Sequence, residues 1–408
     1  MSDRFSAFRH VSYQRYFAAR FFSSFAAQIL SVSVAWQIYA ETKSAFLLGM
    51  IGLVQFAPAV ILVVFTGIAS DRLGRRFVMG CAILLELMCA LAILFLAVTG
   101  QFKPFWVLTA LTVFGIARAF YSPASASLAV NVVPQKDFAN AVGWSASSWQ
   151  TASVAGPAVG GLLYGISGLV AFSTACIAFA IAAVFVFIIP KPSQTIHKEP
   201  TTWRTLVGGF TYVWKEKMVL GAISLDLFAV LLGGAVALLP IYAYDILEVG
   251  PFGLGLLRAA PGIGALLMLA VITVFPIKQN AGVLLFISVA LFGTFTTVFG
   301  FSTIAWVSIA ALILVGGFDM VSVYIREVIL QLWTPDHVRG RVNAVNSIFL
   351  GASNELGEFR AGMMAAVYGA VFTVGAGGAA AVGVAAIWAT VFPGLRKVDS
   401  LEHKLDET

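Results

Sequence analysis

What most constrains this chain is the recurrence of apolar runs about twenty residues long, separated by short charged loops. An α-helix rises about 1.5 Å per residue, so roughly 20 residues cross a hydrocarbon core of about 30 Å. That ruler places spans near 16–39, 46–68, 77–99, 104–122, 143–165 and 168–189, then near 218–240, 251–275, 281–300, 304–324, 342–367 and 370–392. Composition points the same way. Of 408 residues, 60% are apolar and 11% charged, against roughly 45–50% and about 25% in a soluble globule. So much apolar side chain cannot hide from water in one core, and its solvent must be lipid. Lipid offers the backbone no hydrogen bonds, so each segment has to satisfy its own. The expected fold class is an all-α membrane protein with twelve transmembrane helices.

The spans fall into two sets of six. Phe105-Trp-Val at the start of span four corresponds to Ala305-Trp-Val at the start of span ten. Val132-Val-Pro134 corresponds to Leu332-Trp-Thr-Pro335, and Asn140-Ala-Val142 to Asn343-Ala-Val345. The offset stays near half the chain length, so the chain reads as two parallel six-helix pseudo-repeats. The expected divisions are a first half over 1–190, a cytoplasmic linker over 191–217 and a second half with a tail over 218–408. From Trp203 the linker reads as an amphipathic helix for the membrane surface.

Lysine and arginine set the expected orientation. With the N-terminus inside, about twenty of the 25 basic residues lie on the cytoplasmic side, as the positive-inside rule requires. Lys43 and Lys103 fall outside, and Arg118, Arg258 and Arg360 lie within spans. Both termini are therefore expected in the cytoplasm. The net charge of +6 reads as membrane orientation and not as nucleic-acid binding. Arg4, Arg9, Arg15 and Arg20 interrupt the N-terminus, so no uncleaved signal peptide is expected. Cys81, Cys89 and Cys176 sit in apolar runs without disulfide or metal spacing, and the four histidines form no zinc or haem pattern. No nucleophile–base pair or phosphate loop is apparent. The expectation is a protein that is no enzyme, with no cofactor, metal or catalytic residue, acting as a monomer.

Two motifs stand out. Between spans two and three lies Gly67-Ile-Ala-Ser-Asp71-Arg72-Leu-Gly74-Arg75-Arg76. Its glycines allow a tight turn, Asp71 can cap a helix, and the arginines suit a cytoplasmic loop. In span five, Gly156-Pro157-Ala-Val-Gly160-Gly161 places small residues and a proline inside an apolar helix, as close helix packing and a kink require. At Gly156 and Gly160 such packing is expected to leave room for a methyl but not for an isobutyl group.

The first motif resembles motif A of the major facilitator superfamily, G-x-x-x-D-R-x-G-R-R, at its place after span two. The second resembles motif C, typical of antiporters and drug exporters. Gly317-Phe-Asp319, Thr334-Pro335-Asp336, Arg339-Gly-Arg341-Val-Asn343-Ala-Val-Asn346-Ser and Asn354-Glu355-Leu-Gly357-Glu358-Phe form a block similar to the bacterial subgroup of enterobactin exporters and macrolide-efflux proteins. In that subgroup an acidic residue often follows the last phenylalanine, where this chain has Arg360. A strict motif B is absent; Arg118 stands near its place, but Ser122 replaces the glycine.

Charges inside spans cost several kcal/mol and are functional by default. The acids are Glu86, Asp226, Asp319, Glu355 and Glu358. The resemblance implies that spans 1, 4, 7 and 10 surround a central cavity, while 2, 5, 8 and 11 meet between halves. It makes Asp226 and Asp319 cavity candidates, Glu355 and Glu358 gate or coupling candidates, and Glu86 a peripheral acid. Glu355 or Glu358 is expected to bind the coupled proton, with Asp319 and Asp226 as competing candidates, while Glu86 is expected to be protonated or locally paired. Glu355 and Glu358 are three apart and share a helix face, where two carboxylates in low dielectric resist joint ionisation. Arg360 points roughly 200° from Glu358 and is a poor partner for it. Asp319 is at or next to the repeat-equivalent of Arg118, so the two can face each other across the pseudo-two-fold axis, as a cytoplasmic lock or as substrate contacts. Asp71, Arg72, Gly74, Arg75, Arg76, Arg118, Gly156, Pro157 and Gly160 form the expected conformational gate. Gln28, Gln37, Gln55, Trp149 and Gln150 are candidate substrate contacts.

The resemblance implies a secondary transporter of the bacterial cytoplasmic membrane, working by alternating access. Its expected partners are protons, the lipid bilayer and a small organic substrate, a siderophore or amphipathic drug, moved outward. An importer, a facilitator and a lipid-type exporter stand as alternatives on the same fold.

Overall fold

The computed structural model describes residues 5–190 and 203–401, apart from the side chains of 63, 64, 67, 68, 70, 71, 203–207, 209, 336 and 337. Among the described residues all regular structure is helical. Spans 1 to 6 are Val11–Thr42, Ala45–Leu73, Arg75–Val98, Pro104–Ala129, Phe138–Ile166 and Gly168–Phe187. A helix over Trp203–Lys215 follows in the linker. Span 7 begins as Lys217–Gly233, and spans 8 to 12 are Gly250–Val274, Ala281–Phe301, Ala305–Trp333, Asp336–Tyr368 and Ala370–Val391.

Ten of these segments are long and apolar enough to cross a bilayer by length and composition alone. The other two are spans 5 and 11, rich in Ser, Asn, Gly and, in span 11, charge. They form helices because the backbone hydrogen bonds lie within each helix, whatever side chains it carries. For the same reason spans 4, 10 and 11 run past their expected ends. A hydropathy ruler stops at polar residues, whereas the helix hydrogen-bond ladder continues through them.

Span 7 departs most from expectation. Its first helix stops at Gly233, and Gly234 leaves helical geometry with ψ 122°. The chain resumes with a 3-10 turn Val236–Leu238, a short helix Leu239–Ile241 and a π turn Tyr242–Ile246. The glycine pair removes side-chain support for the helix, and Pro240 cannot donate to a continuous ladder.

Contacts sort the chain into two compact units. One comprises Met1–Lys43, Val54–Thr201 and Gly250–Ala259; the other comprises Ser44–Leu53, Thr202–Val249 and Ala260–Thr408. Each therefore contains the first third of one helix from the opposite sequence half. In the first unit that segment is the start of span 8, packed on span 5: a Cβ at Gly161 would lie 2.4 Å from the Pro251 carbonyl, and one at Gly255 2.6 Å from that of Pro157. In the second it is the start of span 2, packed on span 11, where a Cβ at Gly362 would lie 2.6 Å from Gly49 Cα. Lipid supplies no hydrophobic drive between helices, so such backbone approach is what holds them. The second unit's core, including Leu285, Val289, Ile325, Ile329 and Val384, joins spans 9, 10 and 12. Trp106 and Trp306, in corresponding first turns of spans 4 and 10, are exposed, as interfacial tryptophans are.

Candidate functional site

In the first unit, polar side chains recur at helical spacing on facing spans. Span 1 carries Tyr16, Arg20 and Ser23, and span 4 carries Arg118, Tyr121 and Ser125, each set on one helix face. Glu86 of span 3 is wholly buried and accepts a hydrogen bond from Ser23 Oγ at 3.0 Å. Its Oε1 lies 3.6 Å from Arg118 Nη1. The Arg118 guanidinium in turn stands over the Tyr121 ring, 5.2 Å from its centroid. Arg20 donates to the Tyr16 hydroxyl at 3.1 Å, and that hydroxyl donates to the Ser125 carbonyl at 3.1 Å. Within the first unit the acid beside Arg118 is Glu86. Glu86 is locally paired as expected, but inside the unit and not at its edge.

The second unit has its own charged core. Arg326, two residues past the expected end of span 10, is 1% exposed within that helix and pairs with Asp226 of span 7. Asp319, seven residues earlier on span 10, has both as charged neighbours. The pairing occupies Asp226 and leaves Asp319 on a cavity wall. This cavity of about 160 Å³ is lined by Asp319, Asn354, Thr296, Phe292, Pro261, Leu312 and the broken stretch Gly233–Val236. A smaller void reaches from Asp319 to Asp226 and Ser322.

Span 11 answers what its charges do. Glu355 and Glu358 converge on Gly52 of span 2, where a Cβ would stand 2.6 Å from Glu355 Oε2 and 3.1 Å from Glu358 Oε2. Arg360 turns the other way, as its spacing implies, and donates from Nη2 to the Leu232 carbonyl at 2.6 Å. It thus caps the last turn of the broken span 7. Arg258 donates to Ser31 Oγ of span 1 at 2.8 Å.

The motif-like loop is stapled within the first unit. Gly74 has φ +94°, a conformation that favours glycine. Arg75 Nη1 donates to the Ser127 carbonyl at 3.1 Å and to Asn131 Oδ1 at 2.6 Å. Arg76 Nη1 donates to the Ile189 carbonyl at 2.6 Å. Both thus meet carbonyls at the ends of spans 4 and 6, where helix dipoles favour cations. Arg72 is exposed, and the Asp71 side chain lies outside the described residues. In span 5, a Cβ at Gly156 would fall 2.6 Å from Gln28 Cβ, and one at Gly160 3.0 Å from Ile29 Cα. This corrects the expected room for a methyl: at Gly156 the obstacle is a side-chain root that cannot swing away. Pro157 is buried beside them.

The five candidate substrate contacts do not assemble. Gln28 packs on Gly156, and the Gln55 backbone packs on Gly115 of span 4. Gln37 donates to Glu41 at 2.8 Å. Trp149 is 48% exposed and Gln150 partly exposed on span 5. The residues that do assemble with charge were Arg20, Ser23 and Arg326. Their signal was present as i, i+4, i+7 spacing in span 1 and as a lone arginine at the end of span 10.

Twelve spans in a doubled six-helix order, with a charge pair inside each unit, define a multi-pass membrane protein of the transporter class. Residues 16–354 match the model of the Major Facilitator Superfamily, and the chain belongs to that family. It is 23% identical over 285 residues to macrolide efflux protein A of Streptococcus pyogenes, covering 67% of this chain and 68% of that one. It is 24% identical over 347 residues to an enterobactin exporter of Shigella boydii, covering 82% and 81%. The crystal structure of a POT family transporter in complex with 5-aminolevulinic acid superposes with a TM-score of 0.76 at 13% identity, over 95% of this chain and 97% of that one.

Proposed function

We propose that this transporter is a proton-coupled exporter of small organic molecules in a bacterial cytoplasmic membrane, with both termini inside. The observation that carries the reading is the position of Asp319. Its neighbouring cation, Arg326, is already engaged by Asp226, so the acid on the cavity wall has a proton as its natural counter-charge. Asp319 is therefore the coupling residue, and a cycle of proton uptake and release there drives the exchange. The efflux activity in the names of two relatives supports the outward direction.

Glu355 and Glu358 serve the gate in this reading. They lie where span 11 meets the start of span 2, and Gly49, Gly52 and Gly362 let the two helices touch. Span 5 and the start of span 8 make the corresponding contact through Gly161 and Gly255. Opening both contacts is the alternating-access step in this reading. Siderophores and amphipathic drugs are the substrate classes to screen.

The test is transport in inverted vesicles and proteoliposomes with an imposed pH gradient. Asp319→Asn should lose pH-driven uptake, because an amide resembles the protonated acid and cannot release a proton. If pH-driven uptake persists in that variant, coupling lies elsewhere.

A further inference from the structure

We infer that the cavity at the break in span 7 binds a protonated organic amine, with Asp319 as its anionic partner. The inference deepens the export reading and rests on it only for the direction of movement. Three features of the wall select this chemistry.

The first is acceptor character. Among the lining side chains only Asp319, Asn354 and Thr296 are polar. Thr296 donates its hydroxyl proton to the Phe292 carbonyl at 2.8 Å, and Asn354 Nδ2 donates to the Leu350 carbonyl at 2.8 Å. What these groups leave for a guest is mainly acceptor capacity, so the guest must donate. A carboxylate in apolar surroundings further favours a guest that is positively charged.

The second is the apolar remainder. Val230, Leu239, Leu312, Pro261 and Phe292 offer no oxygen from their side chains. A hard metal ion needs about six oxygens at short range, more than this wall provides. An alkyl- or arylammonium instead finds hydrocarbon for its body and an aromatic ring for its charge.

The third is size and access. An apolar cavity of about 150 Å³ holds one benzene-sized molecule, and this one has about 160 Å³. The missing side chains of Gly233 and Gly234 and the break in span 7 create that space. Asp319 is only partly buried and Asn354 is exposed, so the cavity has a mouth. It therefore accepts the charged head of a larger substrate and leaves the rest outside.

The experiment uses the full chain purified in detergent and three matched probes: benzylammonium, benzyl alcohol and benzoate. Equilibrium binding should favour benzylammonium over benzyl alcohol by at least roughly tenfold, the scale of one charge-assisted hydrogen bond, with benzoate weakest. Asp319→Asn should erase that preference. Val315→Phe, which fills the cavity and keeps the carboxylate, should weaken benzylammonium binding, and it decides the matter if the asparagine variant does not fold. Benzoate binding as tightly as benzylammonium overturns the inference, as does an amine preference that survives Asp319→Asn or benzylammonium binding that is undiminished in Val315→Phe. Sodium displacing benzylammonium from the wild-type chain overturns the organic assignment. Vesicle transport run in parallel separates the two readings. Asp319-dependent amine binding without pH-driven transport keeps the site and removes the exporter. pH-driven transport without such binding does the reverse.

Discussion

Arg360 of span 11 donates a hydrogen bond from Nη2 to the carbonyl of Leu232, 2.6 Å away in span 7. Leu232 lies one residue before the helix stops at Gly233, so the guanidinium satisfies a carbonyl that a continuous helix would have bonded internally. One residue thereby explains two irregularities, a cation within span 11 and a helix of span 7 that stops at Gly233.

Arg360→Met should loosen this junction. A hydrogen bond to a charged group contributes about 1.5–3 kcal/mol, and a buried carbonyl left unpaired adds to the loss. The variant should insert normally but unfold at lower temperature in detergent and transport more slowly. Arg360→Lys should recover part of both. Wild-type stability in the methionine variant would show that the cap is dispensable.

The Asp226–Arg326 pair should behave as a unit. Removing one partner of a buried pair strands the other charge and costs about 3–5 kcal/mol. Arg326→Met is therefore expected to be more destabilising than the double variant Arg326→Met with Asp226→Asn. Thermal unfolding of both singles and the double, read as a cycle, gives the coupling. Additive losses would mean that the two residues act independently.

Gly156→Ala should already reduce stability, because its methyl would meet Gln28 Cβ at 2.6 Å. Gly143→Ala in the same span is the control, with nothing within 4 Å of a new Cβ. That control should be neutral or slightly stabilising, since alanine favours helix by about 0.8–1.0 kcal/mol. Detergent stability ranks the two, and equal behaviour would remove close packing as the role of Gly156.

Outside the spans, Asp137 accepts a hydrogen bond from His10 Nε2 at 2.9 Å, tying the start of span 1 to the start of span 5. That bond, with help from Ser6, holds the Asp137 carboxyl below its ordinary range. A depressed acid stabilises the fold above its unfolded-state pKa, and the contribution disappears as pH falls through the folded one. Asp137→Asn should thus lower the unfolding temperature at neutral pH and match wild type in strong acid. A difference independent of pH would point to packing.

The two halves of the answer come from different physics. The sequence alone determined the twelve spans and their doubling, because lipid thickness and backbone satisfaction act on each segment separately. It also marked Gly74, whose positive φ demands glycine, and the small residues of span 5, whose role needs no partner's identity. What it could not reach was pairing. Arg118 finds Glu86 and Arg326 finds Asp226, although all four are visible as charges in or beside apolar runs. Which charge neutralises which depends on how helices rotate and cross, and residues far apart in sequence settle that together. The glycine pair Gly233–Gly234 before Pro240 stands in the sequence, but the break it makes inside span 7 was not expected from it. Its consequence, a cavity beside Asp319, exists only once spans 7, 10 and 11 have packed.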